Sequence, residues 1–538
     1  MLWAAFVAIL SACTPSNPVA PTSSTAVIVE GHVAGEHGPL PDATVRIQAT
    51  NRQTTTDKDG NFRVPVGTTD GTRLTAWKVG HYIGSVAANE PQPLLIALRP
   101  LPAEDWAGYQ WVDPRPDQTE EHNCANCHAE IYRQWSGGGH GDAAGNRRFL
   151  NLYDGTDWHG RPGAGWSLLD DHPHGAGVCT ACHAPTVELD DPAYHDLRLA
   201  TGVSALGVHC DYCHKIQDAP AADVGLAHGR FGLKLLRPRH GQLFFGPWDD
   251  VDRGEDTYSA LYGESRYCAS CHEGTVFGVH AYGTYSEWLD SAARRRGQQC
   301  QSCHMAPDGA MTNIAPGHGG VERDPGAISN HRFAGGTREM LQRALSVEMK
   351  SRRLADRVVV DVEVLAQQAG HRVPTGFPDR NLVLLVEAFD AEDGPLDPLS
   401  GPSLPDHAGA EVAGRAGKLF AKQLTDENGN SPAPFWRSIT DVVDTRLFPE
   451  QADHSRYEFP LATASLRVRL LYRRHWPHVA TEKGWPDNET IVKKGVRNRF
   501  LTDKTDLLSC GDGKTEADGR RRVGVSCVKP RQRADADL

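Results

Sequence analysis

Cys124-Ala125-Asn126-Cys127-His128, Cys179-Thr180-Ala181-Cys182-His183, Cys210-Asp211-Tyr212-Cys213-His214, Cys268-Ala269-Ser270-Cys271-His272 and Cys300-Gln301-Ser302-Cys303-His304 are five copies of one pattern, Cys-x-x-Cys-His. It is the attachment pattern of c-type haem. The two sulfurs form thioether bonds to the haem vinyl groups, and the adjacent histidine is placed to give an axial nitrogen to the iron. One copy is compatible with chance, a zinc site or a redox dithiol. Five copies, each followed at once by His, leave those readings little room. The expected cofactors are five covalently attached haem c groups. Cys124, Cys127, Cys179, Cys182, Cys210, Cys213, Cys268, Cys271, Cys300 and Cys303 would hold the macrocycles, and His128, His183, His214, His272 and His304 the irons.

Composition agrees with this. The hydrophobic share of 39% in 538 residues is slightly low for a globular chain. Covalent haems would relieve the shortage, because each buries a large aromatic macrocycle. All five motifs fall within residues 124–304, so cofactors rather than side chains should form the core there. A formal charge of −12 argues against a nucleic-acid partner. The first cysteines of the motifs lie at 124, 179, 210, 268 and 300, a long–short alternation seen twice, as a duplicated two-haem unit would leave.

Three of the 13 cysteines stand outside the motifs. Cys13 follows an apolar run, residues 2–10, that is too short to span a bilayer and reads as a secretion signal. Leu10-Ser11-Ala12-Cys13 resembles the bacterial lipobox, although no Lys or Arg precedes Cys13. The resemblance implies a lipid on Cys13 and an exported chain at the periplasmic or cell-surface side of a membrane; an ordinary cleaved signal is the alternative. No other segment has 18 consecutive apolar residues. Cys510 and Cys527 form either a disulfide or two free thiols.

The expected fold is multidomain: a haem-organised, mostly α and loop multihaem cytochrome domain flanked by two β-sandwich domains. Residues 1–13 are the signal and 14–26, rich in Pro, Ser and Thr, a tether. Period-2 alternation marks strands in 27–100, for example Ala43-Thr44-Val45-Arg46-Ile47 and Phe62-Arg63-Val64-Pro65-Val66. Gly31-His32-Val33, Pro41-Asp42-Ala43-Thr44-Val45 and Thr56-Asp57-Lys58-Asp59-Gly60-Asn61-Phe62 resemble the carboxypeptidase regulatory-like domain, a small β-sandwich. Asp57-Lys58-Asp59-Gly60 lacks the spacing of a calcium loop and reads as a solvated turn. Residues 101–344 hold the haems, with short helices at 129–135 and 286–296. Strand patterns return at 357–364, 381–388 and 464–472, giving a second β-sandwich at 345–500 and a charged, Gly-rich tail at 501–538.

The 25 histidines leave 20 beyond the motifs to act as second axial ligands. After the first motif come Trp135 and, twelve residues past His128, His140. These offsets, with Gly207-Val208-His209 before the third motif, resemble the tetrahaem cytochromes that accept electrons from hydroxylamine oxidoreductase, over roughly residues 120–275. The resemblance implies that His140 pairs with His214 on the third haem, that His228 reaches the first haem, and that the second haem, on His183, is five-coordinate. That family has a histidine just before its fourth motif. The corresponding segment here has none, which leaves His280 as a candidate for the fourth haem. Asn330-His331-Arg332-Phe333-Ala334-Gly335-Gly336 resembles a segment of the family of pentahaem nitrite reductase and octahaem oxidoreductases, and offers His331; His318 is a weaker candidate. Gly370-His371-Arg372-Val373-Pro374-Thr375-Gly376 resembles a segment of β-domains fused to such cytochromes, where the histidine either reaches a haem edge or fixes a turn. His32, His37, His81, His407, His454, His475 and His478 read as ordinary surface or hydrogen-bonded residues.

Closely packed haems with two histidines each make an electron carrier that works with redox partner proteins. The alternative is an oxidoreductase acting on nitrite, hydroxylamine or a sulfur oxyanion at a five-coordinate haem. All five motifs end in His, whereas nitrite reductases of this kind usually carry a Cys-x-x-Cys-Lys haem, so the residues favour carrier over catalyst. An adhesion or sensing module dominated by the β-domains is a third reading, opposed by a haem region that should not fold without its cofactors.

Overall fold

The computed structural model describes residues 26–120, 122–188, 195–494 and 498–499. Cys13, the leader and the cysteines Cys510 and Cys527 lie outside them. Among the described residues no helix is long and apolar enough to cross a membrane.

Alternating burial builds the N-terminal unit. In Asn61–Val66 every second side chain is buried, so one face of the strand is covered. Val27–Gly35 pairs antiparallel with Gly38–Pro39 and Asn61–Val66 and parallel with Leu94–Ala97. A second four-stranded sheet runs in the order Gln53–Thr55, Thr44–Ile47, Arg73–Trp77, Gly84–Ala87. Val29, Val33, Phe62 and Val64 of the first sheet share one apolar cluster with Val45, Ile47, Leu74 and Ala76 of the second. The Asp57 carboxylate is engaged by its own turn. It accepts from the backbone N–H of Asp59 at 2.9 Å and of Asn61 at 2.8 Å, and Gly60 takes the left-handed conformation at φ 78°.

Between 101 and 344 regular structure is sparse. The longest described helices, Ala129–Ser136 and Arg147–Asp154, have eight residues. Helices this short are marginal by themselves in water. The expected helix at 286–296 is two pieces, Thr284–Leu289 and Ala292–Arg295. The break has a local cause: the Ser291 side chain accepts from the Arg294 N–H and caps a new helix.

The C-terminal unit has two sheets. Leu345–Arg353, Arg357–Ala366 and Ala452–Pro460 form an antiparallel three-stranded sheet. The other is ordered Ile439–Asp444, Gly417–Asp426, Asn381–Phe389, Ser465–Arg473, Glu489–Lys494, with two short strands on its edges. Val358, Val360, Val362 and Val364 pack in one cluster with Leu382, Leu384, Leu466 and Val468. Asn381–Phe389 is central, and its other face, Val383 and Leu385, meets Leu404 and Val412. A strand covered on both sides reads as a continuous apolar run, which is what Leu382-Val383-Leu384-Leu385-Val386 is.

Both β-units are bonded to the middle region. At one end Asp250 accepts from the Ala49 N–H at 2.7 Å and pairs with Arg323 at 2.8 Å. At the other, Leu152, Tyr153 and Ala184 pack with Trp436, Trp476 and Trp485. There Lys483, fully buried, donates to the carbonyls of Asn151 and Trp166, each at 2.7 Å. Lys483→Met keeps the bulk, strands the Trp166 carbonyl and leaves the Asn151 carbonyl only the Gly155 N–H at 3.1 Å. It should lower stability by about 1–3 kcal/mol, the cost of one stranded buried polar group. Denaturant titration followed by circular dichroism measures the loss.

Candidate functional site

Each motif sits on one helical turn: Cys124–Cys127, Gly177–His183, Cys210–Cys213, Arg266–His272 and Cys300–His304. Residues three and four apart share a helix face, so both thiols and the following histidine turn to one side. All ten thiols are half-buried, although a free cysteine ordinarily packs deep inside as a small apolar group. The motif helices are also brought against one another. The Cys124 thiol lies beside that of Cys210, Cys182 beside Cys271, and Cys268 beside Cys300. Cys213 lies close enough to feel Cys271. The attachment points therefore form one connected set, first to third to fourth, with the second and fifth joined to the fourth.

Four of the five motif histidines have one nitrogen committed to a backbone carbonyl. Nδ1 of His128 bonds Ile314 O at 2.8 Å, that of His183 Ala143 O at 2.8 Å, that of His214 Phe245 O at 2.6 Å and that of His304 Ala334 O at 2.6 Å. A carbonyl only accepts, so Nδ1 carries the proton and Nε2 keeps its lone pair. That is the tautomer an axial iron ligand needs.

The further histidines are placed by packing. The His140 ring lies 6.2 Å from His272 between centroids, at 52°, and the His371 ring 6.2 Å from His304, at 14°. Two iron–nitrogen bonds of about 2 Å, with roughly 1 Å from each nitrogen to its ring centre, separate two imidazoles on one iron by about 6 Å. Both pairs fit that spacing. His140 Nδ1 and His331 Nδ1 are buried without a partner. Desolvation lowers His140 to about 4, helped by His304, and His331 to about 4, helped by His214 and His128. It lowers His272 to about 3, helped by His140 and His304. All three are neutral donors at pH 7. His128 feels His318 among its neighbours. Against His183 stands Phe149, stacked at 3.9 Å; among the described residues no histidine ring stands opposite it.

Several sequence expectations meet a different geometry. His140 does lie beside the third motif through its backbone, whose carbonyl accepts from the Val208 N–H at 3.0 Å. Its ring is turned to the fourth motif's His272 rather than to His214. His280 is on the strand Val279–Gly283, half-exposed and paired with Glu273 at 2.7 Å. That carboxylate engages its Nε2. His228 Nε2 bonds Thr275 O at 3.1 Å, which holds it beside the strand that follows the fourth motif. Gly229 next to it packs on Ala181 of the second motif, where a side chain would meet the Ala181 carbonyl at 2.2 Å. A buried ion pair was not anticipated. Asp211, inside the third motif, pairs with Lys215, both side chains fully buried. Asp211 also accepts from Tyr109 at 2.9 Å and from the Val112 N–H at 2.9 Å. Their i, i+4 spacing was the available signal.

Residues 123–215, which contain the first three motifs, match the family model described as cytochrome c554 and c-prime. The match supports a multihaem c-type cytochrome that carries covalent haem c and transfers electrons. No curated protein matches the chain. Among solved structures, a penta-haem cytochrome c552 from Thermochromatium tepidum is similar, at 23% identity and TM-score 0.49, over 69% of this chain and 96% of that one.

Buried Gln134 accepts from the His331 N–H at 2.8 Å and so anchors the 330–333 segment. Gln134→Leu removes the acceptor at a cost of about 1–3 kcal/mol. Amide exchange at residues 329–333 should then rise about tenfold or more, read by hydrogen-exchange mass spectrometry.

Proposed function

We propose that the chain is an exported pentahaem c-type cytochrome that relays electrons through closely packed haems to redox partner proteins. The carrying observation is the connected set of attachment points: thiols of the first and third, second and fourth, and fourth and fifth motifs are close neighbours. Macrocycles bonded there would be adjacent, with the fourth as the hub. The ten motif cysteines would hold the macrocycles, and His128, His183, His214, His272 and His304 one axial position each.

The second positions are assigned from ring geometry for the fourth iron and from nearness alone for the third and first. His140 serves the fourth iron opposite His272. His331, close to His214 and without a partner for Nδ1, serves the third, and His318, a neighbour of His128, serves the first. The haem itself supplies the redox chemistry; the chain orients the ligands and excludes water around them. The units 27–100 and 345–500 are two-sheet sandwiches about the cytochrome region, the first of the carboxypeptidase regulatory-like kind. A lipid on Cys13 would fix the chain to a membrane surface on the periplasmic or outer side.

A second reading, an oxidoreductase acting on nitrite, hydroxylamine or a sulfur oxyanion, is favoured by the surroundings of His183: Phe149 stacks on the face of its ring, and among the described residues no second histidine ring is paired with it.

Intact mass of the natively matured protein should exceed the polypeptide by five haem groups, and redox titration should resolve several overlapping transitions. A mass equal to the polypeptide alone sinks the proposal. A high-spin ferric signal altered by added nitrite or hydroxylamine transfers the weight to the second reading.

A further inference from the structure

We propose that His371, carried by the C-terminal β-unit, is the second axial ligand of the fifth haem, so that this unit completes an iron site inside the cytochrome region. The inference rests on the pentahaem reading and adds a donor from outside the motif-bearing segment. His371 lies on the loop between the strands Arg357–Ala366 and Asn381–Phe389. Its ring is 6.2 Å from that of His304, centroid to centroid, and within 14° of parallel. His304 Nδ1 is bonded to Ala334 O at 2.6 Å and His371 Nδ1 to Arg372 O at 2.9 Å. Each ring thus commits the same nitrogen to a carbonyl and keeps Nε2 as its free donor. A histidine that only fixed a turn would be complete with the Arg372 bond and would have no cause to stand one metal-spanning distance from a haem-motif histidine.

The loop is held against the fifth motif by more bonds than a linker needs. Glu287, on the helix Thr284–Leu289, accepts from the Arg372 N–H at 3.2 Å and from Thr375 Oγ1 at 2.7 Å. Glu287 also pairs with Arg446 at 2.8 Å, and Arg446 pairs with Asp444 at 2.7 Å. Arg372 closes the circuit on Asp444 at 2.5 Å. Gly370 makes the approach possible: a side chain there would come within 3.2 Å of Ala293 and 3.4 Å of Trp288. Trp288 in turn donates to Gln298 O at 2.9 Å, two residues before Cys300. The loop that bears His371 and the motif that bears His304 are therefore positioned by one shared network.

The test uses the full-length, natively matured protein. Intact mass should give five haems for both the native chain and His371→Ala, while electron paramagnetic resonance of the ferric protein gains one haem equivalent of high-spin iron in the variant. Added imidazole should return that haem to low spin. His454→Ala, an exposed histidine of the same unit, should leave the spin count unchanged. If His371→Ala does not accumulate, His371→Met keeps bulk and a donor; one haem should then move to a higher potential in a redox titration. A spin count and potentials identical to the native protein in the variant overturn the assignment. A native protein without haem overturns the pentahaem reading instead, before His371 is tested.

Discussion

An imidazole has two nitrogens, and a metal ligand is best oriented when the second is engaged elsewhere. Much of the middle region serves that requirement. The carbonyls of Ile314, Ala143 and Ala334 come from loops and that of Phe245 from the short strand Phe244–Gly246, all distant along the chain from the histidines they fix. The long Gly- and Pro-containing loops are thus the second half of each site, because they place an acceptor where a ring would otherwise spin. The interior of a helix cannot do this, since its carbonyls are already bonded within it. The scarcity of regular structure around the motifs follows from the same constraint.

The β-units solve a different problem. Each has its own apolar cluster and does not depend on the motifs for a core. Both are tied to the middle region by buried polar contacts, Asp250 on one side and Lys483 on the other. A region whose longest helices have eight residues gains two preformed walls. The C-terminal wall also presents the aromatic side of Trp436, Trp476 and Trp485 to the helices near the second motif, where bulky flat groups suit the packing of a macrocycle edge.

What could be read from the sequence was what depends on neighbours along the chain. The five motifs, the alternating strands and the buried run 382–386 are local patterns, and the structure has a turn of helix or a strand at each. The partners of the motif histidines are not local. The offset of His140 from His128 places its backbone beside the third motif, yet the ring crosses to His272, because side-chain direction is set by the packing of Phe333, 4.3 Å away. His280 is a candidate for the fourth iron by proximity in sequence. Its strand instead faces Glu273, a pairing visible only once the hairpin of Glu273–Val276 with Val279–Gly283 is closed. His371, more than sixty residues past the last motif, had only a resemblance to recommend it. The helix break at Ser291 was legible in principle, since serine before Ala292 is a cap signal.

The pairing of thiols from different motifs has a consequence for how such a molecule comes into being. Cys124 with Cys210, Cys182 with Cys271 and Cys268 with Cys300 meet only when the chain is folded. Sulfurs held together in an oxidising compartment react with each other. A chain that collapsed first would seal its attachment points as cross-links between the wrong partners. On the exported pentahaem reading, the porphyrins would be fastened while the polypeptide is still open, and assembly would run from chemistry to shape rather than the reverse.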